Sequence, residues 1–364
     1  MSSSRSAIEG EAVHNQKSLL TASCPIPITN YKEIVLAHGS GGKLSHQLIE
    51  KMVLPQFRNE LLAPLHDGAV FSLGNERIAF STDSYVVSPI FFPGGDIGRL
   101  AVHGTINDLA MCGARPLYLS CGFILEEGTP MEDFWRIVQS MRDAADTAGV
   151  KLVTGDTKVV DRGKADKIFI NTSGIGIIRE GVDINPVRAQ AGDKILVSGQ
   201  IATHGIAIMS VREGLEFETE IASDTAALND LVETILAGSK GIHVLRDPTR
   251  GGVTSALTEI AQTAQVGMLL DEARIPISEE VKGACEILGL DPLYVANEGK
   301  LIAIVSSSDA DRVLTAMKSH SLGKEAAIIG EVTDDNIGFI LMKTRVGGTR
   351  VVDMLSGEQL PRIC

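Results

Sequence analysis

The sequence lacks long apolar runs and is poor in aromatic residues. No segment approaches the about eighteen consecutive apolar residues that a membrane helix needs, so we expect no membrane span. Aromatic residues make up only 4% of the chain, which argues against platforms for stacking nucleic-acid bases. Basic residues number 33 against 46 acidic ones, and the net charge is −13. That sign repels nucleic acids and anionic membranes, although it also serves simple solubility.

Cysteines are few and are not arranged in pairs. None of the five are spaced C-x-x-C, and their odd number argues against both a disulfide framework and a structural zinc site. The segment before Cys24 is polar where a signal peptide requires an apolar run. We therefore expect a cytoplasmic protein in a reducing compartment. The cysteines are Cys24, Cys112, Cys121, Cys285 and Cys364.

The composition is that of a folded chain long enough for two cores. Its 364 residues are 44% hydrophobic and 22% charged, which is globular rather than disordered. We divide it into a mobile polar extension (1–32), a first domain (33–190), a second domain (191–350) and a flexible tail (351–364). Strand and helix patterns mix in both domains, which predicts an α/β or α+β fold.

Hydrophobic periodicity predicts individual elements within these domains. We expect strands at Glu33–Ala37, Ala69–Leu73 and Arg77–Ser81. The clearest helix begins at Thr129 and Pro130, because Thr caps helices and Pro favours their first position. Gly149 ends that helix.

A glycine-rich segment follows the first predicted strand and precedes a helical pattern. Glycines at such a place let backbone N–H groups close around a phosphate, and a helix N-terminus favours the anion. The spacing matches neither a P-loop nor a nucleophile elbow, and an ordinary glycine-rich turn is the alternative. The residues concerned are His38, Gly39, Ser40, Gly41 and Gly42.

Four acidic residues occur at predicted strand ends or in a predicted helix. Any one of them alone is more simply a turn or capping residue. Carboxylates at neighbouring strand ends converge on one rim of a sheet, and such oxygen ligands suit Mg²⁺ that bridges phosphates. Together they predict a magnesium site formed by Asp67, Asp83, Asp108 and Asp156.

Three further polar residues suggest catalysis on a phosphate. Lys158 lies two residues beyond Asp156, and its ammonium suits a phosphate or a developing oxyanion; a solvated lysine is the alternative. Arg250 precedes Gly251 and Gly252 and offers a planar fork for phosphate. Glu298 lies in a polar island and is a candidate general base or an ordinary turn carboxylate.

The final residue of the sequence is a cysteine at the end of a tail. Gly357 through Cys364 would reach ~28 Å if fully extended, which is enough to leave a domain and enter a cleft. A thiol in that position suits a swinging substrate carrier, and an accidental terminal cysteine is the alternative. Arg362 would hold the thiolate by opposite charge.

Read in order, these segments resemble the hydrogenase-maturation carbamoyl dehydratases, which belong to the superfamily of aminoimidazole-ribotide synthetase and selenophosphate synthetase. The resemblance covers about residues 33–364, and its most specific element is the terminal Pro361-Arg362-Ile363-Cys364. The other matching stretches are His38–Gly42, Ser81–Ser84, Phe91–Asp96, Asn107–Ala110, Tyr118–Phe123, Thr154–Val159, Arg246–Gly252 and Ala296–Lys300.

The resemblance implies an ATP-dependent enzyme with Mg²⁺. Cys364 would receive a carbamoyl group from the carbamoyltransferase HypF. ATP-dependent dehydration would then leave a thiocyanate, which supplies cyanide to iron on a HypC–HypD complex for a [NiFe]-hydrogenase. Lys158 and Glu298 would act with Cys364 in catalysis. The nucleotide would contact the glycine-rich segment together with Asn107, Asp247 and Arg250.

The resemblance also implies a two-domain PurM-like fold in a homodimer whose N-terminal domains pair into a β-barrel, with a C-terminal α/β domain. Two alternatives stay open. A selenophosphate-synthetase-like phosphoryl transferase would need a reactive residue near the glycine-rich segment, where only Cys24 is available. A non-catalytic, nucleotide-gated scaffold would consume no ATP in response to a carbamoylated Cys364.

Overall fold

The computed structural model describes residues 31, 33–57, 59–215, 221–355, 360 and 362–364. The predicted extension, with Cys24, thus lies outside the described residues apart from Tyr31. The helices are α1 (Lys43–Leu48), α2 (Leu54–Phe57), α3 (Ile97–Met111), α4 (Met131–Ala148), α5 (Thr203–Glu213), α6 (Asn229–Gly238), α7 (Gly252–Ala264), α8 (Glu279–Leu288) and α9 (Ala310–Ser319). The strands are β1 (Ala69–Leu73), β2 (Glu76–Tyr85), β3 (Phe91–Phe92), β4 (Gly95–Asp96), β5 (Ala114–Glu126), β6 (Lys151–Val160), β7 (Ile168–Ile178), β8 (Lys194–Val197), β9 (Ile242–Arg246), β10 (Gly267–Asp271), β11 (Ile302–Val305), β12 (Ala327–Thr333), β13 (Ile340–Lys343) and β14 (Thr349–Val352).

The first domain is a five-stranded sheet with helices α3 and α4 on one face. The strand order is β1-β2-β7-β5-β6, and every neighbouring pair is antiparallel except β5 and β6. Helix α3 is buried along nearly its whole length. Strand β6 forms one edge and is exposed at nine of its ten residues. In the part of the chain that the structure describes, this sheet stays open and closes no barrel.

The second domain is a seven-stranded mixed sheet covered on both faces. Its order is β14-β13-β10-β12-β8-β11-β9. Along β8, Ile195 and Val197 join the core of α5 and α7, whereas the intervening Leu196 joins the core of α6 and α9. Alternate side chains of a strand point to opposite faces, so an unbroken apolar run is required where both faces are covered.

One continuous core links the two domains and contains the end of the chain. It includes Ile97 of α3 and Ile206 of α5, and Ile363 and Cys364 belong to the same cluster. The final residues are therefore packed between the domains. Among the described residues, no helix is both long and apolar enough to cross a membrane.

Most of the predicted elements are confirmed, but the first predicted strand is wrong. Residues Leu36–Gly39 form a 3-10 turn in place of the strand at Glu33–Ala37. The ring Nδ1 of His38 accepts a hydrogen bond from the N–H of Val35 at 3.0 Å, which closes the turn. The helix predicted near Thr129 begins at Met131 and ends at Gly149, which has the left-handed φ of 69°.

Candidate active site

Three carboxylates from distant parts of the chain meet in the cleft between the domains. Asp67 precedes β1, Asp108 lies in the last turn of α3, and Asp247 follows β9. One carboxylate oxygen from each lies within 4.8 Å of the other two. Ser81 of β2 donates a hydrogen bond to Asp108 Oδ2 at 2.6 Å and thereby orients it. The structure thus places Asp247 with Asp67 and Asp108.

The electrostatics of this group fit a divalent cation. Burial, followed by the charge of Asp67, raises the pKa of Asp247 to about 8. Burial and the charge of Asp247 raise the pKa of Asp108. Oxygens of Asp67 and Asp247 are buried without a hydrogen-bond partner among the described residues. Since hard oxygen donors and uncompensated negative charge are what Mg²⁺ requires, the residues fit this ion.

Two arginines border the carboxylates on the side of the second domain. Arg246 Nε lies 3.0 Å from Asp67 Oδ1, and its guanidinium also pairs with Glu259. Arg250 lies 3.9 Å from Asp83, so Asp83 faces the cleft beside an arginine and not within the closest carboxylate group. These arginines leave the three central carboxylates only partly neutralised.

The glycine-rich segment lies against Arg250. Gly41 has a φ of 76°, and a Cβ at this position would lie 2.8 Å from the Cβ of Arg250, so only glycine fits. The carbonyl of Gly39 accepts a hydrogen bond from Arg250 at 3.4 Å. Gly42 caps α1, and Ser40 bonds the Ala37 carbonyl within the turn.

The cleft has a volume of about 560 Å³, which is in the range for a small-molecule site. Its lining combines the glycine-rich segment, the carboxylates and the arginines. Among the described residues, those that line it include His38, Gly39, Gly41, His46, Asp67, Asp83, Asp108, Arg246, Asp247, Arg250 and Glu259.

The terminal cysteine is buried beside the cleft. Cys364 is 8% exposed, and burial raises the pKa of its thiol while Arg250 lowers it. Ionised Cys364 is in turn the largest contribution that raises the pKa of Arg250. Arg362 points elsewhere, to Asp166 and the Val86 carbonyl, so the prediction that Arg362 holds the thiolate is wrong. Arg250 is the cation next to the sulfur.

Glu298 is a buried acid with an unsatisfied oxygen next to that sulfur. It is 3% exposed, and its Oε1 has no hydrogen-bond partner among the described residues. Burial, then Asp247 and Asp83, raises its pKa well above the ordinary value. Its own charge contributes to the raised pKa of Cys364. An acid of this kind is a strong base once it has lost its proton.

Comparison with known proteins identifies the family. Residues 65–178 match the N-terminal domain, and residues 190–343 the C-terminal domain, of AIR synthase related proteins. Over 332 residues the chain is 57% identical to the carbamoyl dehydratase HypE of Cupriavidus necator, covering 91% of this chain and 95% of that protein. The chain belongs to the carbamoyl dehydratase HypE family.

Solved HypE structures agree with this assignment. A crystal structure of a HypE–HypF complex matches with a TM-score of 0.81 at 49% identity, covering 85% of this chain and 99% of that one. HypE in complex with ATP matches with a TM-score of 0.77 at 50% identity, covering 91% and 100%. The predicted two-domain PurM-like α/β fold is therefore confirmed, as is the prediction of a HypE-family enzyme.

Two residues predicted for the HypE site lie apart from the cleft in the single chain. Asp156 and Lys158 are on the exposed edge strand β6, where they form an ion pair of 2.6 Å with both side chains 68% exposed. Neither is among the described residues that line the cleft. Both side chains are exposed because β6 is the edge strand of the sheet and is exposed at nine of its ten residues.

Asn107, which is predicted to contact the nucleotide, is buried and hydrogen-bonded within the chain. Its amide donates hydrogen bonds to the carbonyls of Ala226 and Glu298, and its oxygen accepts one from the N–H of Leu228. Both amide hydrogens are thus used within the chain, so Asn107 positions the Glu298 segment. Sequence reasoning missed Asp224, which accepts a hydrogen bond from the Glu298 N–H at 3.2 Å and pairs with Lys300 at 3.0 Å. No local pattern marks it.

The three clustered carboxylates predict that the stability of the fold falls as the pH rises and that Mg²⁺ binding offsets this loss. Because the pKa of Asp247 rises from 3.8 to about 8 on folding, the folded chain binds the proton more tightly than the unfolded chain. Without metal, stability should therefore fall as the pH rises from about 4 to about 8. Mg²⁺ at a hundredfold excess over its Kd should restore about 2.7 kcal/mol at pH 8.

Thermal unfolding with Mg²⁺ or with EDTA, at pH 6 and pH 8, measures this effect. Asp247→Asn should weaken both the pH dependence and the response to Mg²⁺. Asp143→Asn, in the exposed ion pair with Arg142 on α4, is the matched control. An equal response to Mg²⁺ in wild type and Asp247→Asn would contradict the site.

Proposed function

We propose that this chain dehydrates an S-carbamoyl group carried on its own Cys364 to a thiocyanate, with ATP as the phosphoryl donor. The observation that supports this most is the burial of Cys364 beside Glu298, Arg250 and the carboxylate group. A C-terminal thiol beside a cleft of about 560 Å³ suits a substrate that is covalently attached to the enzyme.

The proposed reaction balances as follows. The amide oxygen of the S-carbamoyl group attacks the γ-phosphorus of ATP, and ADP leaves. One N–H proton is lost, and the C–O bond to phosphate then breaks as the second N–H proton leaves. The products are a nitrile on sulfur, ADP and inorganic phosphate. Phosphorylation is required because an amide oxygen is a poor leaving group, and positioning and charge neutralisation promote the transfer.

The residues of the cleft divide these tasks. Asp67, Asp108 and Asp247 would hold Mg²⁺, which supplies neutralisation of phosphate charge when it is bound. Arg250 would stabilise developing charge near the sulfur. Glu298 would accept an N–H proton, and its burial and unsatisfied oxygen support this role. The backbone of the glycine-rich segment would cradle phosphate.

Lys158 and Asp156 would act across a homodimer. The outer face of the first sheet exposes apolar side chains, as a surface that meets a second copy would: Phe80, Tyr118, Ile124 and Ile175. Pairing of two such sheets into a shared barrel would cover β6 and bring Lys158 towards the partner's cleft. A chain that sediments as a monomer at micromolar concentration would contradict this arrangement.

The proposed reaction requires one partner that donates the carbamoyl group and another that accepts the cyanide. HypF, with which a similar HypE forms a crystallised complex, is the proposed carbamoyl donor. A HypC–HypD complex that holds iron is the proposed cyanide acceptor, for [NiFe]-hydrogenase maturation. ATP is the proposed nucleotide, and a similar HypE has been crystallised with it.

Mass spectrometry of the C-terminal peptide tests the function. The full chain is incubated with carbamoyl phosphate, the carbamoyltransferase and ATP–Mg²⁺. We expect a carbamoyl adduct on Cys364 that then loses the mass of one water, with one ATP consumed per nitrile. Omission of ATP after carbamoylation should leave the first adduct unchanged. ATP use that does not depend on carbamoylated Cys364 would support the phosphoryl-transferase alternative, and no ATP use would support a scaffold.

A further inference from the structure

The last three residues pair with the segment that follows β2. The N–H of Val86 donates to the Cys364 carbonyl at 3.0 Å, and the N–H of Ser88 donates to the Arg362 carbonyl at 3.3 Å. These bonds have the antiparallel order of a short β-ladder. Main-chain pairing of this kind fixes the register of the tail against residues 86–88 and thereby the position of the Cys364 sulfur. It does not by itself recognise any side chain.

Two side chains of helix α5 hold the same segment from the second domain. His204 Nε2 donates to the Ile363 carbonyl at 2.8 Å. Arg212 donates to both the Ser88 and the Arg362 carbonyls, so it ties the tail to the strand with which it pairs. A single helix thus contacts the backbone of two consecutive tail residues.

The ring of His204 is also held by contacts that do not involve the tail. It is fully buried, its Nδ1 accepts from the Ser223 hydroxyl at 2.7 Å, and Phe92 packs edge-on at 5.6 Å between ring centroids. Since the Ile363 carbonyl only accepts, Nε2 carries the hydrogen and Nδ1 accepts from Ser223. Burial lowers the pKa of His204, which favours this neutral form.

Arg362 brings a second positive charge close to Arg212, and Asp166 offsets it. Burial, followed by the charge of Arg362, lowers the pKa of Arg212, whereas the charge of Asp166 opposes the shift. Arg362 pairs directly with Asp166 and donates to the Val86 carbonyl at 3.2 Å. Its φ of 53° is left-handed, so the docked conformation depends on these contacts.

We propose that His204 and Arg212 are positioning residues that latch the C-terminal tail in the cleft, and that Asp166 recognises Arg362. The latch sets the balance between the docked tail and a released tail whose sulfur is accessible to a carbamoyl donor. The inference rests on the proposed function only in treating the docked tail as the state that undergoes dehydration. Weakening the latch favours release and reduces the fraction of carbamoylated chains that are positioned for ATP.

The rate of Cys364 alkylation by iodoacetamide, followed on the C-terminal peptide, measures release directly. Arg212→Ala should raise this rate by about tenfold or more, the scale of lost hydrogen bonds from a charged donor. His204→Leu should raise it, whereas His204→Gln, which keeps a donor near Nε2, should stay close to wild type. Asp166→Asn, at a half-exposed position, should give a smaller increase. Arg312→Ala, in the surface ion pair with Asp309, is the arginine control.

Carbamoylation and dehydration are measured separately on the same variants. We expect carbamoylation to be unchanged or faster and single-turnover dehydration to slow in proportion to release. Unchanged alkylation in Arg212→Ala, His204→Leu and Asp166→Asn would overturn the latch. If Arg212→Ala does not fold, Asp166→Asn and the His204→Gln and His204→Leu pair decide the matter. A wild-type chain that forms no nitrile would overturn the proposed function and leave the alkylation result standing.

Discussion

Cys364→Ser is expected to abolish both the carbamoyl adduct and the nitrile while ATP binding persists. The hydroxyl replaces a buried sulfur with almost no change of shape, so the tail should still dock. An alcohol is a much weaker nucleophile and is not ionised near neutral pH, so it should not accept the carbamoyl group. We expect nitrile formation to fall by at least about 10³-fold, the scale seen when a catalytic nucleophile is removed.

Peptide mass spectrometry and an ATP-binding titration together check this expectation. Cys285→Ser is the matched control, because Cys285 is also buried but lies on α8, away from the cleft lining. Full adduct formation in the Cys364→Ser chain would show that another residue carries the carbamoyl group. Loss of ATP binding would show instead that the terminal sulfur is needed to form the nucleotide site.

Glu298→Gln is expected to leave carbamoylation of Cys364 intact and to slow dehydration by about 10²–10⁴-fold. The amide keeps the size of the side chain, and the backbone bonds of Glu298 to Asp224 and Asn107 do not involve the carboxyl group. Only the proton acceptor is lost. The raised pKa of Glu298 also predicts that wild-type dehydration increases with pH as this carboxyl ionises.

Single-turnover dehydration of pre-carbamoylated chain, measured from pH 6 to pH 9, separates the two steps. The variant should lose the rising limb of the pH profile along with its rate. Glu259→Gln is a useful comparison, since Glu259 lines the same cleft but is paired with Arg246 and His46. A wild-type rate in Glu298→Gln would assign proton removal to another group.

The local sequence pattern determined most of the secondary structure of this protein, because helices, strands and turns depend on residues that are close in sequence. The helix that ends at Gly149 and the strand at Ala69–Leu73 both follow from periodicity and capping. The glycine-rich segment, Asp67, Asp108 and the terminal cysteine were also recognisable as polar or flexible residues at element ends. The exception at Glu33–Ala37 arose where a histidine side chain closed a turn.

Only the tertiary structure decided which of these residues meet. Asp247 joins Asp67 and Asp108 because β9 ends beside α3, and nothing in the residues around Asp247 encodes that proximity. Arg250, rather than Arg362, faces the sulfur because the tail pairs with the segment after β2. Contacts between residues more than a hundred positions apart depend on how sheets and helices pack, so the sequence supplied the reactive groups and packing selected their partners.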